Sequence, residues 1–143
     1  MAKLFPGLKS AACVRRSPAN PVLSAKEIPY PADLIFNAGV VKRGGKYYMV
    51  FRNDYGYSDG RFGGTNLGVA ESCDGVHWTA RPEPMVRAED VRDGETGRIY
   101  DPRLTMIGDE LFICFAVDTR HGIRGGIGKI KGDFEGIEFI SLS

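Results

Sequence analysis

Asn37-Ala38-Gly39-Val40-Val41, the pair Gly44-Gly45, and Tyr47-Tyr48-Met49-Val50-Phe51-Arg52-Asn53-Asp54 are the stretch from which the rest of the chain can be read. β-Branched and aromatic residues on both sides of a Gly-Gly pair predict a β-hairpin. Residues 53–66 follow, too polar for a strand and too rich in glycine for a helix. Leu67-Gly68-Val69-Ala70 then reads as a third strand. Asp74-Gly75 marks another turn, and Val76-His77-Trp78-Thr79 reads as a fourth strand. Four strands in meander order make one antiparallel unit.

The unit recurs. Asp101-Pro102-Arg103-Leu104-Thr105, a turn at Gly108-Asp109 and an apolar run over 111–117 repeat the first hairpin. A glycine-rich stretch, Ile127-Gly128-Lys129-Ile130, a turn at Gly132-Asp133 and Ile137-Glu138-Phe139-Ile140 complete it. A single offset of 64 pairs Asn37 with Asp101, Gly44 with Gly108, Tyr48 with Phe112, Phe51 with Phe115 and Asp54 with Asp118. The later strands align only after a deletion in the second copy. A four-stranded antiparallel unit in tandem predicts an all-β chain of β-propeller blades. The chain divides into an irregular N-terminal segment (1–36), a first blade with a long glycine-rich loop (37–98) and a second blade (99–143). Pro6, Pro18, Pro21, Pro29 and Pro31 exclude a helix from the first of these. Propellers close with about four to eight blades, so two predict an incomplete ring whose open faces associate, with a homo-oligomer as one outcome.

Composition limits the partners. The chain has 143 residues, 43% hydrophobic and 26% charged, with 19 glycines. Lys and Arg number 19 against 18 Asp and Glu, a net charge of +1 that gives no electrostatic reason to expect nucleic acid or a membrane surface. The run 111–117 is far shorter than the roughly 20 residues of a spanning helix. Residues 1–7 hold no apolar core of a secretion signal, and Cys13, Cys73 and Cys114 are odd in number and scattered. These features predict a cytoplasmic protein with no disulfide framework and no metal site.

The first strand of a propeller blade lines the central channel, so polar residues opening the two units are the candidates for a site. Asn37 and Asp101 hold these places. Pro102 disfavours α geometry in the residue before it, which predicts an extended Asp101. Arg103, two residues on, is then expected on the same strand face. Read from the residues alone, Asp101 is first of all the opening of a turn, as the Asp of an Asp-Pro pair often is. Asn53 and Asp54 either line a pocket or cap the following loop. His121 and its neighbour Arg120 either touch substrate or phosphate or form a solvated loop. His77 reads as structural, and Cys114 as a small core residue. Residues 122–128 lack the Gly-Lys-Ser/Thr ending and the helix of a phosphate-binding loop.

These motifs carry a resemblance. Asn37-Ala38-Gly39-Val40-Val41, Tyr48-Met49-Val50-Phe51-Arg52, Gly68-Val69-Ala70-Glu71-Ser72 with Asp74-Gly75 and Trp78, and Tyr100-Asp101-Pro102-Arg103-Leu104-Thr105 resemble glycoside hydrolase family 130 in the same order. The resemblance runs from about residue 20 to the end. It implies a five-bladed propeller and an inverting phosphorylase that cleaves β-mannoside oligosaccharides with phosphate, releasing mannose 1-phosphate. It implies that Asp101 is the proton donor, passing its proton through a sugar hydroxyl, and that Asn37 and Arg52 hold the sugar. Inorganic phosphate is then the co-substrate, with no further cofactor. Phosphate is already a competent nucleophile, so one acid and a basic clamp suffice where an inverting hydrolase needs two carboxyl groups. The family's phosphate-binding residues belong mainly to later blades, and no matching segment precedes Ser143. A hydrolase on the same scaffold and a non-catalytic glycan-binding fragment are the alternatives.

Overall fold

The repeat takes the form of two antiparallel sheets. The computed structural model describes residues 11, 13–15, 17–91 and 96–143. The first sheet runs β1 (Leu34–Arg43), β2 (Lys46–Tyr55), β3 (Gly64–Ser72), with two short strands, β4 (Thr79–Ala80) and β5 (Val86–Arg87), both paired with β3. The second runs β6 (Arg98–Ile107), β7 (Glu110–Thr119), β8 (Gly122–Lys131), β9 (Gly136–Leu142) in that order. The first sheet opens at Leu34 rather than Asn37, because Leu34, Ile35 and Phe36 find partners in Asp54, Asn53 and Arg52. Gly44 and Gly45 both take positive φ, 56° and 83°, as the two-residue turn of a twisted hairpin requires.

The fourth strand of the first unit is shorter than the sequence suggests. Val76, His77 and Trp78 stay out of the sheet because Asp74 holds them in a turn. Its carboxylate accepts the backbone N–H groups of Val76 and His77, each at 2.8 Å, and lies 2.7 Å from the His77 ring. His77 therefore has a local structural partner, although not on a strand.

The two sheets share more than strand order. In β1 the pairing slips between Phe36 and Gly39, and in β6 between Tyr100 and Arg103, so a bulge falls at matching positions. Asn37 and Asp101, the first bulged residues, both adopt left-handed backbone, with φ of 49° and 55°. Asn and Asp tolerate that region better than other side chains with a Cβ. Asp101 is thus not extended, and the proline's missing N–H falls where the ladder is already interrupted. Phe51 faces Gly68 across its sheet, and Phe115 faces Gly126 across the other; each ring fills the space a glycine Cβ would need. The deletion lies in one hairpin loop, residues 56–63 in the first unit against 120–121 in the second.

The core lies between the sheets. Tyr48, Val50, Leu67 and Val69 of the first meet Ile99, Leu111, Ile113, Phe115, Val117, Ile130 and Ile137 of the second. Burying each such side chain fully contributes about 1.5–3 kcal/mol. Phe134, in the turn after β8, stacks on Tyr48 at 4.5 Å and ties the outer edge. The other face of the first sheet is covered by the N-terminal segment, where Leu23, Ile28 and Tyr30 pack on Phe51, Ala70 and Trp78. The other face of the second sheet is open: Ile123 and Ile127 are exposed, and so is Cys114, which is not a core residue. Cys114 alternates with Ile113 and Phe115, and those two take the inner side.

Candidate active site

β1 and β6 lie side by side where the sheets meet. At Gly39 a Cβ would stand 3.0 Å from the Leu104 nitrogen and 3.2 Å from the Arg103 Cα, so the strands touch through backbone. This approach brings the two bulges together. Asn37 Nδ2 donates to Asp101 Oδ1 at 2.8 Å, across 64 residues of chain. Arg52 Nη1 reaches the same oxygen at 3.4 Å. The Asp101 side chain keeps 37% exposure, so a carboxyl group held by an amide and a guanidinium still faces solvent.

Arg52 is held by a carboxylate and two aromatic rings. Its Nε and Nη2 donate to the two carboxylate oxygens of Asp54 at 2.7 and 2.8 Å. Its guanidinium lies 4.5 Å from the Phe36 ring centre and 4.9 Å from that of Tyr100. Those rings occupy equivalent places in the two repeats. The hydrogen bonds to Asp54 raise the Arg52 pKa further above its ordinary value, against the opposing effect of burial. Asp54 is almost wholly buried and takes a second cation, Arg98 Nη2, at 3.3 Å. Tyr100 donates its hydroxyl to Asp118 at 2.6 Å; burial first, then that bond, pushes the phenol up to about 12.

The structure gathers Asn37, Arg52, Asp54 and Asp101, and places the other candidates elsewhere. Asn53 alternates with Arg52 and Asp54, so it falls on the opposite face. There it is fully buried, donating to the Pro31 carbonyl at 3.0 Å and to Asn66 at 3.2 Å, and it anchors the N-terminal segment. Arg103 does not share a face with Asp101, because the bulge breaks the alternation; its register pairs it with Cys114 as Tyr100 pairs with Ala116. Its guanidinium instead donates to the Asn37 carbonyl at 3.1 Å, buttressing the opposite bulge. His121 stands in the exposed turn between β7 and β8, its ring accepting from Arg120 at 3.1 Å. Sequence reasoning missed Phe36, Arg98 and the role of Tyr100. The signal was available: aromatic residues at 36 and 100 share the repeat offset, and Arg98 precedes Tyr100 by one alternation. Among the described residues, no group of three His, Cys, Asp or Glu could hold a metal ion. No helix among them is long and apolar enough to cross a membrane.

Two tandem antiparallel sheets, packed face to face with their first strands meeting at a polar cluster, define a protein of the β-propeller class. The family model described as beta-1,4-mannooligosaccharide phosphorylase matches residues 14–135, and the chain belongs to that family, glycoside hydrolase family 130. Solved structures agree on the fold. One, described within the GH130 family of mannoside phosphorylases as containing hydrolases of beta-1,2 mannosidic linkages in Candida mannan, aligns with a TM-score of 0.75 and 21% identity over 89% of this chain. The beta-1,2-mannobiose phosphorylase of Listeria innocua aligns at 0.69 and 18% identity, over 87% of this chain and 49% of its own. A silkworm (Bombyx mori) GH32 beta-fructofuranosidase also aligns, at 0.65 and 19%, over 78% of this chain and 23% of its own, so the fold alone does not select a sugar. The chain spans 40% of the first of these structures. No curated protein sequence matches it significantly.

Proposed function

We propose that this chain carries the acid and part of the sugar-binding surface of a phosphorylase that cleaves β-mannosides. The observation that carries the reading is Asp101, held through Oδ1 by Asn37 and Arg52 at the junction of two propeller strands in a family 130 chain. In this reading phosphate attacks the anomeric carbon, the glycosidic C–O bond breaks and a C–O bond to phosphate forms with inversion. Asp101 supplies the proton that the leaving oxygen takes up, relayed through a sugar hydroxyl. Asn37 and Arg52 fix the mannosyl unit, so binding energy orients the bond to be broken. Inorganic phosphate is the co-substrate, held in this family mainly by basic residues of later blades. A cytoplasmic location and action without a metal or organic cofactor are part of the same reading.

The test is to incubate the protein with β-1,2- or β-1,4-mannobiose, with and without inorganic phosphate, and to assay mannose 1-phosphate. Phosphate-dependent release that Asp101→Asn abolishes, with sugar binding retained by calorimetry, is the expected result. Release of free mannose without phosphate would make the protein a hydrolase. Stoichiometric binding without turnover would make this chain a glycan-binding piece. Near-normal turnover by Asp101→Asn would remove Asp101 from the chemistry.

A further inference from the structure

The geometry points to Asp54 as a positioning residue: it sets the guanidinium of Arg52 at the sugar-facing surface and does not itself touch the sugar. This inference rests on the functional reading above for the identity of the ligand, but the clamp itself is visible in the contacts. A guanidinium offers five N–H donors in a rigid planar fork, so fixing one edge fixes where the others point. Asp54 takes the Nε and Nη2 edge with both carboxylate oxygens, at 2.7 and 2.8 Å. The Phe36 and Tyr100 rings lie against the same guanidinium, their centres 4.5 and 4.9 Å from its carbon. Nη1 is thereby directed at Asp101.

Two further observations separate positioning from direct binding. The Asp54 side chain is only 3% exposed, and Arg52 and Arg98 both hold it, which leaves a sugar hydroxyl little access to it. The second repeat shows what the same carboxylate does without an arginine. Position 116, equivalent to Arg52, is alanine, and Asp118, equivalent to Asp54, instead accepts the Tyr100 hydroxyl at 2.6 Å. Tyr100 forms one wall of the Arg52 slot, so both carboxylates serve one guanidinium. A long, rotamer-rich side chain is ordered before any ligand arrives, and binding then avoids that entropy cost.

A double-mutant cycle on the full 143-residue chain, titrated with β-1,2-mannobiose by calorimetry, tests this. Asp54→Asn should weaken binding about tenfold in the wild-type background, the scale of a hydrogen bond to a charged group. In the Arg52→Ala background the same change should cost less than about twofold, because the residue it acts through is gone. Equal losses in both backgrounds would overturn the proposal and make Asp54 a direct sugar contact. If the wild-type chain binds no mannobiose, the mannoside reading fails, and the clamp is judged by nitrogen-15 NMR of the arginine side chains. Arg52 Nε–H should exchange slowly with solvent and its guanidinium should rotate slowly, with both properties lost in Asp54→Asn. Should that variant not fold, the wild type alone decides. An Arg52 Nε–H that exchanges as fast as that of exposed Arg61 would overturn the proposal.

Discussion

Gly39 shows how one atom governs the site. Its missing Cβ is what lets β1 rest on the β6 backbone: a Cβ there would stand 3.0–3.2 Å from main-chain atoms that cannot rotate away. We expect Gly39→Val to destabilise the chain by about 1–3 kcal/mol, the usual cost of overpacking, read as a lower urea midpoint. An unchanged midpoint would mean that the strands are free to separate. Arg52 is the second such residue. Lysine keeps its charge but has neither the planar fork for Asp54 nor the flat faces for Phe36 and Tyr100. Arg52→Lys should therefore lose β-1,2-mannobiose affinity by about tenfold in calorimetry, on the scale of hydrogen bonds to charged groups; retained affinity would show that charge alone suffices.

Among the elements, the turn at residues 72–77 is the one most dependent on a single side chain. Asp74 closes it through two backbone N–H groups, and the hydroxyl of Ser72 accepts the Gly75 N–H at 2.8 Å. The His77 ring, first, and the backbone N–H groups hold the Asp74 carboxyl well below the usual carboxylate range. A depressed folded-state pKa stabilises the protein above the unfolded value, and that contribution is lost as pH falls through the folded one. Asp74→Ala should therefore lower the melting temperature at pH 7, and the gap to wild type should narrow on acidification. A gap that stays constant down to pH 2 would show that the ionised carboxylate is not what holds the turn. The bulges at 37–38 and 101–102 are elements of another kind: they give up ladder bonds, and in exchange turn Asn37 and Asp101 toward one another.

At the scale of the molecule, the two faces left outside the core differ. The N-terminal segment covers one, burying Ile28 beside Phe51 and Ala70. On the other, Phe112, Cys114 and Ile127 occupy the positions that Tyr48, Val50 and Val69 hold in the first sheet, where they pack on the second. The chain is expected to self-associate through this face in a concentration-dependent way, as exposed apolar patches do. Light scattering should show a growing species that Ile127→Lys suppresses. A sharp monomer at every concentration would refute the expectation.

The repeat, its three long strands and the paired positions Asn37 and Asp101 were legible in the sequence, because β-branched alternation, Gly-Gly turns and a constant offset are local, periodic signals. Asp54 and Asn53 could not be separated that way. Adjacent polar residues on one strand point to opposite faces, and which face meets the second sheet is settled only when the sheets pack. The left-handed Asp101 was hidden by Pro102, whose ordinary preference for an extended neighbour is overridden at a bulge. Arg98 and Tyr100 gained their parts from contact with Arg52, far away in sequence. The sequence alone determined the repeat and the offset that pairs its residues; where each first strand begins is set by its partner strand, as Leu34 is by Asp54. The tertiary structure decided which side chains share the Asp101 carboxylate, because hydrogen bonds of 2.8 and 3.4 Å between residues 64 and 49 apart exist only after two hydrophobic faces have closed on each other.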